Sequence, residues 1–258
     1  MIYLLDKDRL NLKDGGIEYG FMDGSVDFSP VNSPARKELL NIISTDLKES
    51  VYYLYEVKQS HGVNVNVLGE KFKETVRAGY NVFDADDADG VFTGERGVAL
   101  CVRTADCVPV LFAAGIKGKG RADSVIGAVH CGWKGAYGGI IKNAKDILTD
   151  KFKTDVSAVS AIIGPSICKN CYEVQEDFFN LFLTKKISNK RFFEQNADKC
   201  KTFFDLKAFI KNELILCGFG NGNIYDIDKC TFEDAGFFSY RRDKTDKRQV
   251  SFIVMADI

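Results

Sequence analysis

The sequence predicts an α+β fold, a single domain over residues 1–258 in which mixed β-sheets are flanked by helices. Apolar runs of strand length occur in the same chain as segments with the 3.6-residue period of amphipathic helices. The two kinds of segment mix without the strict alternation of a doubly wound parallel sheet. No internal repeat, low-complexity tract or Pro/Ser-rich linker divides the chain.

Taken in order, residues 2–5 and 16–22 read as short strands around the turn Lys13-Asp14-Gly15-Gly16, and Pro34 opens a helix with Leu39, Leu40, Ile43 and Leu47 at helical spacing. Val51–Val57 is strand-like and runs into Gln59-Ser60-His61-Gly62. An acidic loop, 84–90, follows. Gly97–Arg103 is a strand, Thr104-Ala105-Asp106-Cys107 a turn, and Val108–Ala113 apolar again, so Cys107 lies where two buried strands meet. Ser124–Val129 is a strand ending at His130, and Gly132 to Gly139 read as a glycine-rich loop before a helix whose buried face is Ile140, Ile141, Ala144, Ile147 and Leu148. Val156–Ile163 reads as a strand closed by Gly164-Pro165, 174–184 and 205–217 as helices, and Gln249–Met255 as a late strand.

Composition excludes several classes of function. Lys plus Arg number 35 against 36 Asp plus Glu, so no global field favours nucleic acid or an anionic membrane. No apolar stretch reaches the roughly 18 residues of a membrane span, and the start MIYLLDKDRL becomes charged too early for a secretory signal. The expected location is the cytoplasm, where most of the eight cysteines should be free thiols. The sequence carries no signal of oligomeric state.

The chain has two histidines, His61 and His130, each at the edge of a strand, as is Cys107. Imidazole, thiolate and imidazole form a donor set suited to zinc, with a fourth position open for catalysis. From spacing alone, two incidental histidines and a buried cysteine are the preferred reading. The loop holding Gly132 and Gly135 precedes a helix N-terminus, an anion-binding arrangement that Lys134 and Arg103 would strengthen; the same glycines equally make a structural turn. Cys168-Lys169-Asn170-Cys171 has metal or redox spacing, but with no second CxxC the structural reading is preferred. Asp84, Asp86, Asp87 and Asp89 lack the EF-hand pattern and read as a solvated acidic loop. Arg241-Arg242-Asp243 is either a phosphate grip or a solvated turn.

The ordered set QSHG (59–62), DADGVFT (87–93), TADCVPVLF (104–112), AVHCGWKGAYGGII (128–141), IGPSICKNCYEV (163–174) and FFSYRRDKTDKRQ (237–249) resembles the YfiH family. That family is also called the laccase-domain or multicopper polyphenol oxidase family, and is related in fold to the catalytic domain of cytotoxic necrotizing factor. The resemblance implies zinc-dependent phosphorolysis of adenosine, inosine, guanosine and methylthioadenosine, together with adenosine deamination. It places the metal-binding and catalytic roles on His61, Cys107 and His130, and makes purine nucleosides and phosphate the expected partners. Two departures stand out: Lys134 replaces the family's usual Arg, exchanging a bidentate fork for a point charge, and Gly24-Ser25-Val26-Asp27 poorly matches its N-terminal pattern. Asp89 and Asp106 are candidates for orienting ligands or hydroxyls.

Three other functions compete. Cys107 activated by His130 would make a Cys-His hydrolase. Copper oxidase chemistry, which the name laccase suggests, needs far more imidazoles than two. A non-enzymatic nucleoside-binding module is the third, separable by binding without turnover.

Overall fold

The most apolar runs of the chain become the inner strands of two sheets. The computed structural model describes residues 2–3, 16–29, 34–47, 53–69, 87–115, 124–196 and 201–256. Along the chain run β1 (Ile2–Tyr3), β2 (Ile17–Met22), α1 (Ala35–Leu47), β3 (Tyr53–Glu56), β4 (Val65–Leu68), β5 (Gly90–Thr93), β6 (Val98–Thr104), β7 (Val108–Ala114) and β8 (Val125–Cys131). Then come α2 (Trp133–Gly138), α3 (Ile140–Asp150), β9 (Ser160–Ile163), β10 (Glu173–Val174), α4 (Glu176–Lys185), β11 (Phe193–Asn196) and β12 (Lys201–Phe204). The last elements are α5 (Leu206–Leu216), β13 (Ile224–Asp226), α6 (Tyr240–Asp243) and β14 (Gln249–Met255).

One sheet has the order β1-β2-β14-β6-β3 and a second the order β13-β9-β7-β8-β5-β4; a small third sheet is β10-β12-β11. Both large sheets are mixed: β3 and β6, β4 and β5, and β9 and β13 pair in parallel, and the other pairs are antiparallel. Side chains alternate across each strand, which sorts them into layers. Leu100, Val102 and Ile253 of the first sheet meet Leu111, Ala113, Ile126, Ala128 and Ile162 of the second. The opposite face of the first sheet, with Ala99, Cys101, Phe252 and Val254, packs on Leu39, Leu40 and Ile43 of α1. The opposite face of the second, with Val110, Phe112 and Val129, packs on Ile140, Ala144, Phe209 and Ile210 from α3 and α5. The result is helix, sheet, sheet, helix, the α+β class read from the sequence. Each fully buried Leu or Ile contributes roughly 1.5–3 kcal/mol by leaving water.

Several elements depart from the sequence reading. Residues 133–138 form the short helix α2, not a loop: Gly132 is its N-cap, and Gly139 breaks it from α3 at φ 100°. Glycine disfavours helices in isolation, and tertiary packing overrides that preference here. The expected strand from Val156 begins as a 3-10 turn because the Asp155 carboxylate accepts the Ser157 N–H, and β9 starts only at Ser160. Residues 173 and 174 pair with β12 before α4 starts. Residues 13–15, Asp84, Asp86 and Cys200 lie outside the described residues. No helix among the described residues is long and apolar enough to cross a membrane.

Candidate metal centre

Consecutive strands β6 and β7 belong to different sheets, so the chain crosses between the sheets at 105–107. The crossing needs a sharp turn, and Asp106 adopts it at φ 90°. Its carboxylate accepts the Thr231 hydroxyl at 2.7 Å and the Arg241 N–H at 2.6 Å, which holds this unfavourable backbone in place. Cys107 follows, half-buried, at the lip of β7. His130 lies in the last pairs of β8, opposite Pro109, and is buried.

His61 reaches the same place from the first sheet. Beyond β3, the Gln59 side chain both accepts the Arg103 N–H and donates to the Arg103 carbonyl, each at 2.8 Å, so it continues the pairing with β6. The next residues wrap around the buried Asp89, whose carboxylate accepts the N–H groups of Ser60, His61 and Gly62 at 3.2, 3.0 and 2.6 Å. His61 takes a left-handed φ of 61° there, and its side chain is exposed. The potential ligand atoms of His61, Cys107 and His130 lie within 4.8 Å of one another, and the two imidazole rings meet edge to face.

Asp89 also sits 2.7 Å from His130 Nδ1. That contact fixes the proton on Nδ1 and leaves Nε2 free to bind a metal, the carboxylate–histidine arrangement common behind bound metals. Burial raises the Asp89 carboxyl, but the hydrogen bond and charge of His130 together with the backbone donors outweigh it, and its pKa is lowered. Burial likewise opposes a Cys107 thiolate, yet the charge and hydrogen bond of His130, helped by His61, bring the thiol down to about 6. Burial pushes His130 down, but Cys107 and Asp89 together raise it to about 9. The centre is therefore arranged to hold a thiolate.

Gly132 forms the floor. A Cβ there would meet His61 Cδ2 at 3.0 Å, Cys107 Sγ at 3.3 Å and His130 Cε1 at 3.5 Å, so the missing side chain leaves the space that these three side chains surround. Gly135 and Gly138 serve close approach as well: their added Cβ atoms would come within 2.6 Å of the Gly62 carbonyl and of Val63 Cγ1. Asn143 adds a side-chain hydrogen bond to the Val63 carbonyl at 2.8 Å. These glycines let α2 and α3 clamp the His61 loop. The N–H groups of Ala136 and Gly139 are taken by helix carbonyls, leaving them unavailable for an anion.

A cavity of about 320 Å³ opens beside the centre. Trp133, Ile167 and Tyr172 supply apolar wall, His61 and Cys107 stand at one side, and Arg241 and Lys244 line it as cations. Trp133 and Tyr172 are backed by Phe178, at ring separations of 5.0 and 6.2 Å. The Arg241 guanidinium lies 5.1 Å from the Tyr172 ring and donates to the Glu173 carbonyl at 2.7 Å. Arg103, expected as a phosphate ligand, turns away: its Nε is 3.3 Å from Glu56, which also binds the buried Arg36 at 2.7 Å. Lys134 is exposed, with its ammonium 5.7 Å from the Trp133 ring. Arg242 is committed to the carbonyls of Thr231, Phe232 and Phe237, so of the Arg241-Arg242 pair only the first faces the cavity. Asp87 pairs with Lys58 on the surface, in keeping with an acidic solvated loop, whereas Asp89 is wholly buried.

The family model described as multi-copper polyphenol oxidoreductase laccase matches residues 33–256. The chain is 39% identical over 141 residues to a purine nucleoside phosphorylase of Rickettsia conorii, a match spanning 55% of each chain. It is 28% identical over 216 residues to an adenosine deaminase from an unknown prokaryotic organism, spanning 81% of this chain and 75% of the other. The crystal structure of a Bacillus licheniformis protein named YfiH superposes with a TM-score of 0.74 at 21% identity, covering 93% of this chain and 92% of that one. The match to the Rickettsia conorii relative thus spans just over half of that protein's length.

Proposed function

The chain belongs to the multi-copper polyphenol oxidoreductase laccase family, also called the YfiH family, and from that premise we propose that it is a zinc-dependent purine nucleoside enzyme. The reactions proposed are phosphorolysis of adenosine, inosine, guanosine and methylthioadenosine, and hydrolytic deamination of adenosine. The observation that carries the reading is the convergence of His61, Cys107 and His130 around the space above Gly132, at the edge of an aromatic-walled cavity. Two relatives, named for phosphorolysis and for deamination, support the same substrate class.

The donor set fits zinc: one thiolate and two imidazoles, one of them oriented by a carboxylate, with a face open to the cavity. Bound there, zinc supplies a Lewis acid at its open position. Copper, which the family description names, would need a larger imidazole set for a multinuclear centre, and the chain holds two histidines. Asp89 keeps the His130 tautomer fixed. Trp133, Ile167 and Tyr172 offer flat apolar surface to a purine, and the cavity lies within the roughly 300–1,000 Å³ of small-molecule sites.

Phosphate falls to Arg241 and Lys244, the cations that line the cavity, in place of the expected Arg103, Gly132 and Gly135 set, with Lys134 exposed beside Trp133 of the cavity wall. In phosphorolysis a phosphate oxygen bonds to ribose C1′ as the C1′–N9 bond breaks, giving adenine and ribose 1-phosphate. In deamination water adds at purine C6 and ammonia leaves, giving inosine. Cytoplasmic residence accompanies this reading and suits the free thiols at Cys101, Cys107 and Cys131.

Chromatography of adenosine incubated with zinc-loaded protein tests the proposal. Adenine and ribose 1-phosphate are expected with phosphate present, and inosine without it. Neither product, alongside copper-dependent oxidation of a phenol, would sink it.

A further inference from the structure

A second group of soft ligands lies apart from the cavity. Cys168 caps a 3-10 turn, Lys169–Cys171, that ends in Cys171, and both thiols reach Glu233. Cys230 comes from the segment before α6, where a parallel bridge pairs it with Ser166. The Ser166 N–H donates to the Lys229 carbonyl and the Thr231 N–H to the Ser166 carbonyl, at 3.2 and 3.1 Å. Glu233 follows in a turn closed by the Asp234 N–H on the Cys230 carbonyl. Three sulfurs and a carboxylate oxygen thus meet within 4.8 Å of one another, from stretches about sixty residues apart.

The contacts of Glu233 have the spacing of a coordination shell. Glu233 Oε1 stands 3.7 Å from Cys168 Sγ and 3.5 Å from Cys171 Sγ. Ligands on neighbouring corners of a zinc tetrahedron lie about 3.5–3.8 Å apart, given Zn–S near 2.3 Å and Zn–O near 2.0–2.2 Å. The Cys168 N–H points at Cys230 Sγ at 3.3 Å, a backbone donor to sulfur of the kind that stabilises a metal-bound thiolate. The missing partner of the CxxC pair is therefore Cys230, supplied from a distant loop without a CxxC of its own.

We propose that Cys168, Cys171, Cys230 and Glu233 form a second, structural zinc site. Four protein ligands close the tetrahedron and leave no position for substrate, so the site's role is to staple two loops. Those loops build the far wall of the cavity. Ile167 precedes the first ligand and Tyr172 follows the second, and the Thr231 hydroxyl next to Cys230 holds the Asp106 carboxylate. The Ile167 N–H donates to the Asp106 carbonyl at 3.0 Å. The staple thus braces both the cavity wall and the turn that presents Cys107.

Elemental analysis and native mass spectrometry on the full chain, purified with zinc and without chelator, test this independently of the catalytic reading. Wild type is expected to hold about two zinc ions, Cys107→Ser about one, and Cys168→Ser/Cys171→Ser about one. If Cys107→Ser and wild type hold equal zinc while the double variant holds none, the first centre fails and the second stands. Cobalt(II) gives a second readout on wild type itself: tetrahedral visible absorption with strong near-ultraviolet sulfur charge transfer should persist in Cys107→Ser. Glu233→Gln, a change at an exposed residue, should weaken retention of the second zinc about 10–100-fold under chelator challenge. One zinc in wild type that Cys107→Ser removes entirely, or a disulfide among Cys168, Cys171 and Cys230 in the freshly purified chain, would overturn the proposal.

Discussion

Asp89 joins a backbone turn and a side chain through one carboxylate: three N–H groups of the His61 loop and the His130 ring all converge on it. Asp89→Asn has a single carbonyl oxygen for these donors, and its amide nitrogen opposes one of them. A loss of about 10–100-fold in affinity for zinc at the first centre is expected, read by competition with a chromogenic chelator; unchanged affinity would remove Asp89 from the orienting role. Gly132→Ala keeps an allowed backbone, since φ is −72°, but its methyl enters the space among the three ligands. It should lose first-centre zinc while unfolding near the wild-type midpoint, and zinc bound as in wild type would contradict the geometry. In metal-free protein, Cys107 is a thiolate above about pH 6. Its alkylation should stay fast down to that pH and fall below it, instead of declining from pH 9 as for an ordinary thiol. His130, raised to about 9, stays protonated through neutral pH in that state, so zinc must displace its proton and binding should weaken as pH falls. The cluster of His61, Cys107 and His130 was legible in the sequence because histidine is rare and each lies at a strand edge. Asp89 was only half legible, since it stands among other aspartates and burial distinguishes it. Arg103 was misplaced because strand alternation, which sends it to Glu56, carries no mark of which face lines a cavity.

At the scale of elements, α2 was the hardest segment to read, because glycine signals a loop locally and close packing globally. Gly135 is where α2 touches the Gly62 carbonyl, and Gly135→Ala would force a backbone contact of 2.6 Å apart. About 1–3 kcal/mol of destabilisation is expected in urea unfolding, as for other overpacked sites. Displacement of His61 should accompany it as weaker zinc binding; a fully stable variant would mean that α2 does not clamp this loop. The long strands β6, β7, β8 and β14 were legible from their apolar runs. Short edge elements such as β10 and β13 were not, since two or three residues carry no period and their pairing comes from partners distant in sequence.

For the molecule as a whole, the layer between the two large sheets is what holds β3, β6, β7 and β8 in mutual register, and so brings His61, Cys107 and His130 together. Leu111→Ala empties the middle of that layer and should cost about 2–5 kcal/mol in denaturant unfolding. The mixing of strands and helices gave the fold class, but the assignment of β6 and β7 to different sheets was not legible, because their apolar faces look alike in sequence. That crossing creates the turn at Asp106 and with it the position of Cys107. The claim that joins these scales is that His61, Cys107 and His130 form one zinc centre on which nucleoside turnover depends. Its most direct test is adenosine turnover, with phosphate, by chelator-stripped wild type, by the same protein after zinc is restored, and by Cys107→Ser with zinc. Turnover is expected only in the zinc-restored wild type. Full activity in the stripped protein, or wild-type activity in Cys107→Ser, would contradict it.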